Sequence, residues 1–349
     1  MELAVTHPPL TDALAARPND HHALRTAFQA RTGHPWHAAT PAHLAAGHSV
    51  SVVIPARNAA YCLEPVLDAL AAQETRGSVE VIVVDDASTD ATAHVAQRHP
   101  AVDVLVRLPA QSGSGTARNL GTRLAGGETV LYLDADMVLP PHALADVGAR
   151  AGDSTVLVGF RHNTPYETGD DGRLRLPPFP ADLTADHRVT WRSSGGRQMY
   201  SGTVLEGPTT GSPLEDTHDF ADLGHGVFYL DWDLPRTVVT AVLAVPQRAV
   251  LDVGGFDPAF GQIGWGMEDT HLGAVLIAAG CLVVPLRQTV GYHLDPPDAA
   301  DQWQAKLATW PDTLAHYRTL LKIPPPAGRA ARFRAAADAL LATAEVTTR

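Results

Sequence analysis

Hydrophobic and polar positions follow one rhythm along the middle of the chain, and the rhythm changes sharply at Ser49. Ser51-Val52-Val53-Ile54 is a short apolar run ended by Pro55, and Val79–Val84 is a longer one ended by Asp85-Asp86. Val102–Val106 follows, and then Thr129–Leu133, ended by Asp134-Ala135-Asp136. Helix-length segments lie between these runs, near Glu64–Ala72, Thr89–Arg98 and Thr116–Ala125. Strands that alternate with helices, and are apolar throughout, predict a mostly parallel sheet covered on both faces. Ligands in such sheets lie outside the carboxyl ends of the strands. Three polar clusters fall there: Pro55–Asn58, Asp85-Asp86 and Asp134–Asp136.

Outside this region the pattern differs. Residues 1–48 are rich in Ala, His and Pro, with helical stretches at Asp12–Arg17 and His22–Ala30, and read as an N-terminal helical extension. Residues 160–236 carry much Pro, Gly, Asp and Arg, with Phe160, Tyr166, Phe179, Trp191 and Tyr200 scattered among them. A segment of that kind reads as an elaborated insertion over the active edge. Order returns with Thr237–Val245, a helix start at Pro246, a glycine-rich stretch from Gly254 to Gly266, a helix near Glu268–Ala279 and a strand at Cys281–Pro285. The tail from Ala299 reads as two helices broken at Pro324-Pro325-Pro326, and no internal repeat is evident.

Composition narrows the picture only a little. A chain of 349 residues with 45% apolar and 18% charged residues has the make-up of a globular protein with a sizeable core. Its formal net charge of −12 speaks against nonspecific nucleic-acid binding, which needs a basic face. Cys62 and Cys281 read as separate buried or half-buried thiols. Met1 to Asp20 shows no secretory signal, and no stretch has the ~20 apolar residues of a membrane helix, so a cytoplasmic location is the expectation. The basic Arg329–Arg334 stretch lies beside a mostly alanine face, which reads as a solvated helix rather than a membrane or partner contact.

The chemistry is concentrated in a few segments. Asp134-Ala135-Asp136 after an apolar strand offers oxygen ligands for a hard cation such as Mg²⁺ or Mn²⁺. If the strand stays extended there, alternate residues point the same way and both carboxylates reach one site; solvated turn aspartates are the plainer reading. Asp85-Asp86 suits a base or ribose contact, with Ser88 or Thr89 capping the next helix. Ser112–Asn119 is a glycine-rich entry to a helix, and Arg118 adds a cation for a diphosphate. Gly264-Trp265-Gly266-Met267-Glu268-Asp269 places a tryptophan suited to stacking on a sugar beside two carboxylates, one of them a candidate general base. The plainer reading is that Glu268 and Asp269 only complement a helix dipole. His293, in Val290-Gly291-Tyr292-His293, is either a metal ligand or one structural histidine among 17.

Taken together, these segments resemble inverting family-2 glycosyltransferases of the GT-A fold. The resemblance rests on Val52–Asn58, Val84–Asp90, Ala117–Gly121 and Leu133–Asp136, in that order. Gly255-Phe256-Asp257 and Gly264–Asp269 resemble pieces of β-1,4-galactosyltransferases and chondroitin-polymerase-type domains. The resemblance implies an α/β, GT-A, Rossmann-like core over residues 49–298, containing the acceptor-side insertion 160–236, with helical extensions at 1–48 and 299–349. It implies a nucleotide-diphosphate sugar as donor, a UDP-sugar by preference, and an acceptor that the sequence does not identify. Pro55, Ala56, Arg57, Asn58 and Asp86 would hold the nucleoside, and Asp134 would lie near ribose and metal. Asp136 would bind Mn²⁺ or Mg²⁺ with His293 as a further ligand. Asp269 would be the base, with Glu268 beside it, and Trp265 and Arg118 would line the donor site. Relatives often continue the carboxylate pair with a third acidic residue, where this chain has Thr270-His271.

Three other classes fit these residues less well. A sugar-phosphate nucleotidyltransferase carries a glycine-rich basic loop after the first strand, and a dinucleotide-dependent oxidoreductase carries its glycine fingerprint there; Pro55-Ala56-Arg57-Asn58 is neither. A non-catalytic sugar-binding module would have no need of the carboxylates at Asp134, Asp136, Glu268 and Asp269.

Overall fold

The computed structural model describes residues 8–17, 19–45, 47–184, 190–191, 197–198, 204–205, 234–296 and 299–349. Tyr200 and most of the expected insertion between 185 and 233 lie outside the described residues. In chain order the elements are α1 (Leu10–Ala15), α2 (His22–Thr32), β1 (Val50–Ala56), α3 (Leu63–Ala71), β2 (Val79–Asp85), α4 (Thr92–Arg98), β3 (Val104–Arg107) and α5 (Ser114–Leu124). Next come β4 (Thr129–Leu133), β5 (Met137–Val138), α6 (Ala143–Arg150), β6 (Thr155–Thr164) and three two-residue strands, β7 (Thr190–Trp191), β8 (Arg197–Gln198) and β9 (Val204–Leu205). The chain ends with β10 (Val242–Pro246), α7 (Gln247–Val253), α8 (Ala259–Ile263), α9 (Glu268–Ala278), β11 (Leu282–Leu294), α10 (Ala299–Leu321), α11 (Arg329–Leu341) and β12 (Glu345–Thr348).

Among the described residues, nine strands form one sheet in the order β12-β3-β2-β1-β4-β10-β6-β11-β5. Strands β3, β2, β1 and β4 run parallel, β10 is antiparallel to both β4 and β6, and β11 returns parallel to β6. Alternate residues of each strand enter different cores, as the period of two requires. Val53, Ile82, Val84, Val130 and Tyr132 pack with Leu120 of α5 and Leu272 and Leu276 of α9. Val52, Ile54, Val81, Val83, Leu131 and Leu133 pack with Leu63, Val66 and Leu67 of α3 and Leu144 and Val147 of α6. Because both faces are buried, the strands read as continuous apolar runs. Gly121 sets the approach of α5 to β1, since a Cβ there would lie 2.2 Å from Val53 Cγ1.

The terminal segments are built into this body. Asn19 donates to the Val283 carbonyl and accepts from its N–H, both at 2.8 Å. Phe28 and Trp36 are buried, and the buried Arg150 guanidinium donates to the Trp36 and Ala39 carbonyls while paired with Asp146 at 2.7 Å. At the other end β12 covers the β3 edge, the kind of exposed edge that invites wrong pairing. Both cysteines are free and buried, as expected, and burial pushes Cys62 up to about 12 and Cys281 up to about 11.

Several boundaries differ from the pattern. Residues 160–164 of the expected insertion continue β6, and Phe160 is in the core. The last central strand does not stop at Pro285. It crosses an irregularity between Pro285 and Val290 and pairs again with β6, so His293 lies within β11. The polar Arg287-Gln288-Thr289 stretch hides that continuity from a hydropathy reading. Thr237 belongs to a short 3-10 turn, and the following strand begins only at Val242.

Candidate active site

The loops after β1 and β2 are tied to each other. The Asp86 N–H donates to the Ala56 carbonyl at 2.8 Å, and the Asn58 N–H donates to Ser88 Oγ at 3.0 Å. Asn58 Oδ1 accepts from the Thr89 N–H at 2.9 Å. Asn58 and Ala87 hold positive φ, 49° and 56°, which residues with a Cβ rarely adopt. Ser88 and Thr89 therefore do not cap the next helix, as the sequence suggested. That helix starts later, at Thr92, whose N–H is accepted by Asp90 at 2.9 Å. Ala56 is buried and Pro55 half-buried, whereas Arg57 and Asn58 are exposed at the strand end.

Asp86 is only 4% exposed, and both its oxygens are engaged. They accept the Ser112 N–H at 2.6 Å and the Gly113 N–H at 2.9 Å. Its placed role is to hold the glycine-rich loop, at a backbone φ of 90° at Gly113, beside the end of β1. That loop-holding role was not evident in the sequence.

Arg118 projects from α5 into the interior. Its Nη2 meets Asp134 Oδ1 at 2.6 Å, and its Nη1 lies 3.9 Å from Glu268 Oε1. Burial works against the charged guanidinium, but Asp134 and Glu268 outweigh it and hold the Arg118 pKa above its ordinary value. The cation expected for a diphosphate is thus matched by two carboxylates of the chain itself. The extended-strand reading of Asp134 and Asp136 is also corrected. Strand β4 ends at Leu133, and the Met137 N–H donates to the Asp134 carbonyl at 3.0 Å to close a turn. The two side chains consequently take different partners.

Asp136 faces His293. The register pairs His293 with Met137 across β11 and β5, and His293 Nε2 lies 3.3 Å from Asp136 Oδ2. Burial raises the Asp136 pKa, but His293 outweighs this and the net shift is downward, helped by the charges of Arg161 and Lys306. Burial likewise opposes a charge on His293, but Asp136 prevails and the imidazole is pushed up to about 9. On its other side His293 Nδ1 lies 3.4 Å from Asp295. Asp136 Oδ1 is buried with no hydrogen-bond partner among the described residues. Those residues contain no group of three His, Cys, Asp or Glu side chains that would hold a metal on their own. An orphaned carboxylate oxygen beside an imidazole still fits a divalent ion whose remaining ligands are water and substrate phosphate.

Glu268 and Asp269 open α9, behind Gly266 and Met267 at φ 93° and 72°. Glu268 Oε1 accepts from Ser114 Oγ at 3.2 Å, while its Oε2 is buried without a partner among the described residues. Asp269 accepts the Thr270 N–H at 2.7 Å. Burial, and then the charge of Glu268, push its carboxyl up to about 7. Backbone strain at Asn58, Ala87 and Met267 thus gathers in the three loops that carry the candidate residues, as strained backbone does at functional sites.

Trp265 is 38% exposed. Its N–H donates to Thr309 Oγ1 and its carbonyl accepts from Thr313 Oγ1, both at 3.0 Å. Lys306 Nζ sits 5.6 Å from the centre of its ring. Lys306, Thr309 and Thr313, all on α10, were missed by the sequence reading, and no local signal marks them. Ser114 was missed as a partner of Glu268 for the same reason. A cavity of about 780 Å³ lies between the glycine-rich loop and α11; Ser112, Gly113, Thr116 and Asn119 line it, whereas Arg118, Trp265, His293 and the candidate carboxylates do not.

Residues 51–206 match the family model of Glycosyl transferase family 2. The chain is 29% identical over 261 residues to validoxylamine A glucosyltransferase of Streptomyces hygroscopicus subsp. jinggangensis, covering 69% of this chain and 54% of that protein. It is 25% identical over 267 residues to chondroitin synthase of Pasteurella multocida, covering 71% of this chain and 25% of that protein. The chain therefore spans about half or less of the length of these two relatives. Among solved structures, residues 1–349 of S. aureus TarS in complex with UDP-GlcNAc align at a TM-score of 0.50 and 17% identity, over 84% of this chain and 70% of that one. That likeness carries the GT-A fold. Over residues 51–206 the chain is thus similar to the family-2 glycosyltransferases, and the two relatives named are glycosyltransferase-type proteins that align across the same region.

Proposed function

We propose that the chain transfers a sugar from a nucleotide-diphosphate donor, a UDP-sugar by preference, to an acceptor hydroxyl with inversion at the anomeric carbon. The observation that carries this reading is a pair of buried carboxylate oxygens, Asp136 Oδ1 and Glu268 Oε2, that have no hydrogen-bond partner among the described residues. Leaving such atoms without partners is costly unless a ligand completes them. The exposed strand-end residues Arg57 and Asn58, with the Pro55-Ala56 backbone, receive the nucleoside, and Asp86 holds the neighbouring loop in place. Asp136 and His293 are the residues to hold Mn²⁺ or Mg²⁺, with Asp134 close by in sequence. When bound, the ion supplies positive charge to the departing diphosphate. Asp269 takes the acceptor proton, and its pKa of about 7 suits a general base near neutral pH. Glu268, held through one oxygen by Ser114 and Arg118, leaves its second oxygen to a substrate group. Holding donor and acceptor together supplies much of the remaining acceleration.

Support comes from the relatives, one of them named as a glucosyltransferase, and from the structural neighbour whose complex contains UDP-GlcNAc. The test is release of nucleoside diphosphate from a panel of nucleotide sugars with Mn²⁺, with and without chelator. The expected result is slow hydrolysis of one donor, lost on chelation and in Asp136→Ala. Absence of both binding and hydrolysis across the panel would overturn the reading.

A further inference from the structure

We infer that Lys306, on the C-terminal helix α10, supplies the cation that meets the donor diphosphate, the part that sequence alone would give to Arg118. The inference rests on the donor reading above and adds a residue to it. A cation serves a phosphate best when the chain has not already neutralised it. Arg118 is buried and pairs with Asp134 at 2.6 Å, with Glu268 Oε1 3.9 Å away. Lys306 is only half-buried, and its ammonium lies over the Trp265 ring at 5.6 Å. An aromatic face steadies a cation without cancelling its charge, so the group stays available to an incoming anion.

Its position is fixed from two directions. Thr309 and Thr313, on the same helix, hold the N–H and carbonyl of Trp265, so the loop before Glu268 is tied to the helix at two points. Gly264 makes the contact close, because a Cβ there would lie 2.3 Å from Thr309 Cβ. The Lys306 charge also acts on Asp136, helping to hold that carboxyl below its ordinary range. An ammonium held over the Trp265 ring, two residues before the loop's Met267-Glu268-Asp269, and close enough to influence Asp136, is placed to meet the phosphates of a donor bound at these carboxylates.

Calorimetric titration of the full chain with UDP, GDP, uridine and guanosine, in the presence of Mn²⁺, tests this. In Lys306→Gln, affinity for the diphosphate that the unmodified chain binds falls about tenfold or more, the size of one charge-assisted contact. The matching nucleoside binds unchanged, Lys306→Arg retains most of the affinity, and the difference narrows as salt is raised. A merely structural role would weaken nucleoside and diphosphate alike and show no salt dependence, and that pattern overturns the inference. So does a Lys306→Gln affinity equal to that of the unmodified chain. If the unmodified chain binds neither diphosphate, the donor reading itself fails, and this inference with it.

Discussion

Two carboxylates in this molecule, Asp86 and Asp136, follow apolar strands and are largely shielded from solvent, yet their surroundings differ. Asp86 has both oxygens engaged by backbone N–H groups of the next loop. Asp136 has one oxygen facing His293 and the other without a partner among the described residues. The same contrast separates the two halves of the site. Around β1 and β2 the polar groups are matched within the chain, and the loops are held ready. Around β5, α9 and α10 some are left open. A satisfied buried group builds the scaffold, whereas an unsatisfied one marks where a ligand completes the structure.

The sharpest test of that division is Asp269→Asn, which removes the proposed base and leaves the fold intact. Turnover should fall by about 10²–10⁴-fold with little change in donor affinity, read from steady-state kinetics once the donor is known. A fall of less than tenfold would move the base elsewhere. Asp136→Ala should cost about 10²–10³-fold in turnover and abolish the response to Mn²⁺, with an unchanged melting temperature. A large loss of stability instead would place Asp136 with Asp86 as scaffold.

Asp86→Ala should show the reverse pattern. It leaves two backbone N–H groups without a charged acceptor and should destabilise the fold by about 2–3 kcal/mol, measured by denaturant unfolding. Any loss of activity should follow from movement of the Ser112-Gly113 loop. The smallest effect concerns pH. The Asp269 carboxyl sits at about 7, so activity needing the carboxylate should decline as pH falls through that value. Glu268→Gln removes a like charge, and the acidic limb of the profile should move to lower pH. The same raised pKa makes the folded chain hold a proton that the unfolded chain releases near pH 4. The contribution of Asp269 to stability therefore declines as pH rises from about 4 to 7.

Much of the scaffold was legible in the sequence. The strands β1, β2 and β4 stand close to where their apolar runs placed them, because a strand buried on both faces has no polar positions to blur its ends. The candidate residues at those strand ends were legible for the same reason. Other features were not. The turn at Asp134–Asp136 depends on the antiparallel return of β10 and on Arg118, which drew Asp134 aside. The continuation of β11 to His293 depends on β6 as a partner beyond the irregularity at Pro285.

The order of apolar runs and the chemistry at their ends thus came from the sequence, since side-chain periodicity and strand length are local properties. Which carboxylate is satisfied and which is open came only with the tertiary structure. A hydroxyl on Thr309, an ammonium on Lys306 and a carbonyl on Trp265 carry no record in sequence of one another. Their pairing is set by how α10 packs on the loop before α9, and hydrogen bonds between distant segments exist only once that packing has formed.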